Sequence, residues 1–130
     1  EVRLRPFDLL ANGSSAIAVT PTRIVLAYVR RPSVTVLDRT SGRVLRSHAG
    51  LRQPMGVLAH DDGTIHVVDF ATGELLRLAD GDGPHHVVAA GLAGPVGLAQ
   101  DRRGRLLVSE ATSGQLLRID VERGERVVLA

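Results

Sequence analysis

Residues 91–121 read GLAGPVGLAQDRRGRLLVSEATSGQLLRIDV, and residues 50–80 read GLRQPMGVLAHDDGTIHVVDFATGELLRLAD. Laid over one another at an offset of 41, the two stretches match without a gap at ten of 31 positions. The identities include Gly50/Gly91, Pro54/Pro95, Gly56/Gly97, Gly63/Gly104, Val67/Val108, Gly73/Gly114 and Arg77/Arg118. Many other pairs are conservative, such as Ile65 with Leu106 and Asp69 with Glu110. Carried backwards, the same offset sets Ile24 under Ile65 and Leu37 under Leu78. This first copy is more degenerate: it has Gly13 where the others have proline, and Ser14 at the place of Met55 and Val96. A fixed period of this length means one supersecondary unit laid down three times.

Within a copy the texture is strand, turn, strand. In the third copy, residues 96–101 form an apolar run, 102–104 a turn and 105–110 a second run. A loop at 111–114 leads to 115–120, a turn at 121–124 and a last run at 125–130. Val/Leu/Ile-rich runs of five or six residues between Gly, Asp and Ser clusters suit half-buried strands rather than helices. The fold class is therefore all-β. Four short antiparallel strands in about 40 residues make the blade of a β-propeller. The chain reads as one segment, 1–130, with blades at 8–49, 50–90 and 91–130. Val2 and Leu4 alternate like the outer strand of a preceding blade at 1–7.

The pattern resembles the NHL-repeat and SMP-30 (gluconolactonase-like) propellers. The resemblance rests on Gly94-Pro95-Val96-Gly97, Gly104-Arg105-Leu106-Leu107-Val108 and Gly114-Gln115-Leu116-Leu117-Arg118, and on their counterparts in the second copy. The Asn-His pair that names the NHL repeat is replaced by Thr72-Gly73 and Ser113-Gly114, and tryptophan is absent. In the gluconolactonase-like enzymes, the residue between that proline and glycine is often Asn or Asp and helps hold a divalent metal. Ser14, Met55 and Val96 stand there. A thioether and an isopropyl group cannot ligate calcium, which takes oxygen donors. The three blades are thus expected to hold no metal or other cofactor, calcium entering only if missing blades supply its ligands.

Composition narrows the function further. Apolar residues make up 44%, which places the chain among globular proteins. All sixteen basic residues are arginine, yet the net charge is only +2. With so few aromatics to stack on bases, nucleic acid is not an expected partner. The longest uncharged stretch, 87–100, is interrupted by Gly91, Gly94, Pro95 and Gly97, so no membrane span is expected. With no cysteine, there is neither a disulfide framework nor a thiolate metal site. The compartment stays open.

Three blades do not close a ring, since propellers take about four to eight. The expected partners are the remaining propeller blades of a longer polypeptide, or a second copy completing a six-bladed assembly. The surplus outer strand at Val2 and Leu4, with a C-terminus that also finishes on a fourth strand at 127–130, favours the longer polypeptide.

In this architecture the loops leading into the first strand of each blade, with the turns between second and third strands, form one rim where ligands bind. The candidate ligand-binding residues on that rim are Tyr28, Arg30, Arg31, Asp69 and Glu110. Asp69 and Glu110 end the second strands of adjacent blades and could together bind a cation or polarise a substrate, but the favoured reading is that each satisfies loop amides and caps its own turn. His60 and His66 flank the Asp61-Asp62-Gly63 turn as surface residues, and adjacent His85 and His86 cannot share a metal across a strand. Asp80-Gly81-Asp82-Gly83 reads as a turn rather than a calcium loop. Arg77 and Arg118, repeated at one position, are expected to bond a neighbouring blade. With no nucleophile elbow or Ser-His-Asp order, no catalytic residue stands out. The expected function is a propeller scaffold segment binding a protein or small-molecule ligand. The alternative is part of an SMP-30/gluconolactonase-like hydrolase or related propeller lyase whose active residues lie mostly in missing blades.

Overall fold

Alternation along each apolar run, broken at regular intervals by glycine turns, produces strands and, among the described residues, no helix. A computed structural model describes residues 13–81 and 83–130. The outer strand expected at 1–7 lies outside them. The first sheet holds β1 (Ser14–Val19), β2 (Arg23–Tyr28), β3 (Ser33–Asp38) and β4 (Val44–His48). The second holds β5 (Pro54–Ala59), β6 (Ile65–Asp69), β7 (Glu74–Arg77) and β8 (His86–Ala89). The third holds β9 (Pro95–Gln100), β10 (Leu106–Glu110), β11 (Leu116–Asp120) and β12 (Glu125–Val128). Each sheet is an antiparallel meander in chain order, the arrangement of a propeller blade.

The repeat holds at the level of pairing. Val67 faces Leu76 as Val108 faces Leu117, and Leu76 faces Val87 as Leu117 faces Val128. The first copy departs by one residue. Ser14 pairs with Tyr28 as Pro54 pairs with Asp69, and Val19 pairs with Ile24 as Ala59 pairs with Ile65. Ser14 therefore occupies the proline position, and Ser15, not Ser14, stands where the later blades have Met55 and Val96. The cause is a shorter first turn. Thr20 Oγ1 accepts the N–H of Arg23 at 3.0 Å and closes it without the extra residue that Gly63, at φ +94°, provides in the second blade.

The core lies between blades. Val25, Ala27, Val34 and Val36 of the first sheet pack on Val57, Ile65, Val67, Leu76 and Leu78 of the second. The opposite face of the second sheet, through Val68 and Leu75, packs on Leu106, Val108, Leu117 and Ile119 of the third. Sandwiched in this way, β6 is buried along its whole length. Leu51 and Leu92 drop into the two seams from the loops before β5 and β9. Fully burying an aliphatic side chain contributes about 1.5–3 kcal/mol, so these seams hold the arc together. β5 lies beside both β1 and β9, while β12 is exposed throughout; first strands gather at the centre and fourth strands fan outward.

Two glycines show how tightly the second and third blades meet. A Cβ on Gly56 would sit 2.7 Å from the carbonyl oxygen of Val96 and 3.3 Å from the amide of Leu98. One on Gly73 would sit 2.7 Å from the carbonyl oxygen of Leu92. Only glycine lets the third blade's backbone come so close.

Candidate functional site

The loops before β5 and β9 and the turns after β2, β6 and β10 meet on one rim. Phe70 donates its N–H to Gln53 O at 2.9 Å, Ala111 to Gly94 O at 2.7 Å, and Val29 to Gly13 O at 3.3 Å. All five candidate residues lie there, but their environments divide them.

Asp69 is 1% exposed. Its Oδ2 accepts the N–H of Arg52 at 2.8 Å, and Oδ1 accepts those of Gln53 at 3.1 Å, Ala71 at 3.1 Å and Thr72 at 3.3 Å. Glu110 sits one repeat later and is also buried: Oε2 accepts the N–H of Ala93 and Oε1 the hydroxyl of Ser113 at 2.8 Å. The protein's own donors thus occupy these carboxylate oxygens. Both acids therefore tie the loop that starts their own blade to the turn that follows its second strand. They shape the rim rather than line it. Tyr28, in the matching place of the first blade, is buried as well, while Arg30 and Arg31 stand exposed in the turn between β2 and β3. Arg102 and Arg103, in the turn between β9 and β10, lie at the opposite end of the arc.

The guanidinium bond between blades comes from a different residue than the sequence suggests. The guanidinium of neither Arg77 nor Arg118 bonds a described residue, whereas that of Arg126 on β12 donates to Ala90 O at 2.8 Å and Gly91 O at 3.1 Å. Strand alternation explains this. Arg118 shares the face of the third sheet that points away from the second blade, and Arg126, paired with Ile119, shares the inner face.

The histidines form a feature that the sequence did not announce. His66 is not a surface residue but buried on β6, and its Nδ1 lies 2.8 Å from His60 Nε2. Burial foremost, then the nearness of His60 and Arg77, lowers its pKa to about 4, against a smaller opposing pull from Asp62. His85 Nδ1 accepts the N–H of Ala79 at 3.1 Å, and its Nε2 lies 2.6 Å from Ala49 O, which only a protonated Nε2 can satisfy. The ring is thus a clasp between the end of the first blade and the second. His48 is 7% exposed and meets His85 edge-on at 6.1 Å. Asp80, Gly81 and Gly83 lie in the connection between β7 and β8; Asp82 is outside the described residues. Among the described residues, no three His, Asp or Glu side chains stand together as a metal-holding group.

No known protein family and no curated protein matches the sequence. Solved structures do match in shape. Virginiamycin B lyase from Staphylococcus aureus is 14% identical at a TM-score of 0.73, over 90% of this chain and 41% of that one. A chain of the nidogen/laminin complex is 18% identical at a TM-score of 0.78, over 92% of this chain and 49% of that one. Both are β-propeller proteins. The chain has the propeller fold. Kuenenia stuttgartiensis hydrazine synthase also matches, at 19% identity and a TM-score of 0.75, over 90% of this chain and 35% of that one. The chain spans less than half the length of each of these neighbours. At such identities the likeness is one of fold alone.

Proposed function

We propose that the chain is a three-blade arc of a propeller scaffold, of the broad NHL-repeat and SMP-30 type. It presents its rim loops to a protein or small-molecule partner and is completed by further blades stacked on the third. One observation carries the reading. Gly56 and Gly73 are pinched by the backbone of the following blade, and their repeat partners Gly97 and Gly114 are not. Among the described residues, Gly114 has nothing within 4 Å, and a Cβ on Gly97 would meet only Ser109 of its own blade. The same glycines are thus present where no other described blade approaches. Leu107 and Leu116 flank Gly97 on that face, half-buried, as His66 and Leu75 flank Gly56.

The completing blades can belong to the same polypeptide or to a second copy, and in either case the bare face associates. A catalytic reading, as a lactonase or as a lyase like one of the structural neighbours, would draw its reacting groups and any calcium from those added blades. Static light scattering on the wild type and on Gly97→Leu tests the scaffold reading. The wild type should scatter above its monomer mass of 13.8 kDa, and Gly97→Leu should return it towards monomer. A monomeric wild type at high micromolar concentration overturns it.

A further inference from the structure

At the end of the arc opposite Asp69, the seam between the first and second blades opens into a cleft of about 260 Å³. This is slightly below the 300–1,000 Å³ usual for small-molecule sites. Its walls are apolar, among them Val36, Ile65 and Leu78. Its polar lining is mostly cationic or able to become so: Arg23, Arg46, His48 and His60 against one acid, Asp80. Arg23 donates to Thr22 O at 3.2 Å and lies 3.9 Å from Asp38. Arg46 and His48 have no hydrogen-bond partner among the described residues. His48 is nonetheless more than nine-tenths buried. No fully enclosed side-chain nitrogen or oxygen among the described residues lacks a partner, so the His48 ring nitrogens open onto the seam. Arg46 and His48 also line the larger groove that continues the seam outward past His85.

A half-buried guanidinium and a buried imidazole, both unpartnered at the mouth of an apolar cleft, complement one kind of guest. We propose that this cleft binds a small organic anion, a carboxylate carried on a compact apolar body, with Arg46 pairing the carboxylate and His48 donating to it. A guanidinium fork suits a planar carboxylate better than a point charge would. The site is independent of the rim loops and of any added blade, because every residue named belongs to the first two blades.

The proposal has a proton signature. Burial first, then Arg46 and His85, hold His48 below the usual imidazole range, with Asp80 opposing. A bound carboxylate reverses the balance and favours the charged ring, so binding takes up a proton.

The test is a titration with benzoate, followed by the backbone amide of Ala79 and the ring of His48 in NMR spectra. Benzamide is the uncharged control and inorganic phosphate the control without an apolar body. Benzoate should saturate, bind at least about tenfold tighter than either control, and weaken about tenfold in Arg46→Gln. Its affinity should rise in the wild type as pH falls from about 7.5 to about 5.5. Benzamide or phosphate binding as well as benzoate overturns the proposal. So does a pH-independent affinity in the wild type, which needs no variant to fold.

Discussion

Lowering the pH from 7 to 5 should destabilise the chain by about 2 kcal/mol through His66 alone. The ring is neutral in the folded state because it is buried, meets His60 at 2.8 Å and lies near Arg77; its pKa of about 4 compares with 6.5 for a free histidine. The unfolded chain therefore binds the proton first. Stability from this group is fully present above pH 6.5, declines as pH falls and is exhausted near pH 4. Each unit of the gap is worth about 1.4 kcal/mol, so most of a total near 3 kcal/mol is lost in this range. The repeat supplies a clean control, since Leu107 fills the same position in the third blade. Urea melts of the wild type and His66→Leu at pH 7, 6 and 5 measure the effect, and their difference cancels His48 and the carboxylates. The wild type should lose about 2 kcal/mol more than His66→Leu. Equal losses in the two proteins would refute the assignment.

Asp69→Ala should cost about 3 kcal/mol in urea melts, because four N–H groups lose their acceptor, and Asp69→Asn, which keeps one oxygen, roughly half as much. Glu110→Ala should cost less than Asp69→Ala, since one N–H and one hydroxyl are involved rather than four N–H groups. Millimolar calcium should leave the melting temperature of the chain unmoved, because Ser15, Met55 and Val96 occupy the metal position of the gluconolactonase-like pattern; a clear upward shift would show a site within these blades.

The blades were legible because their signal is local and repeated. Glycines at Gly63 and Gly104 mark the same turn, and Ile65, Val67, Leu106 and Val108 alternate onto the same kind of face. What escaped the sequence depends on how distant segments meet. The one-residue shift of Ser14 comes from a turn that Thr20 closes differently, visible only in strand pairing. Whether Asp69 faces solvent or amides is decided by a loop 16 or 17 residues earlier in the chain that folds back over it. His66 breaks the repeat, standing where Leu107 does, so periodicity carried no hint that it is buried against His60. Arg77 and Arg118 recur, but repetition alone does not say which face they share.

The central claim is that each blade is built to receive the next, with the second blade's face covered and the third's met by no other described blade. Melting temperatures of Gly56→Ala and Gly97→Ala test it most directly, since neither glycine has positive φ. At Gly56 the added methyl strikes fixed backbone, costing about 1–3 kcal/mol less a few tenths regained from a stiffer unfolded chain, so the melt should fall by about 5 °C. At Gly97, in melts dilute enough to keep the chain monomeric, it meets only a rotatable serine side chain, and the melt should hold or rise by about 1–2 °C. Equal falls at the two positions would contradict the account.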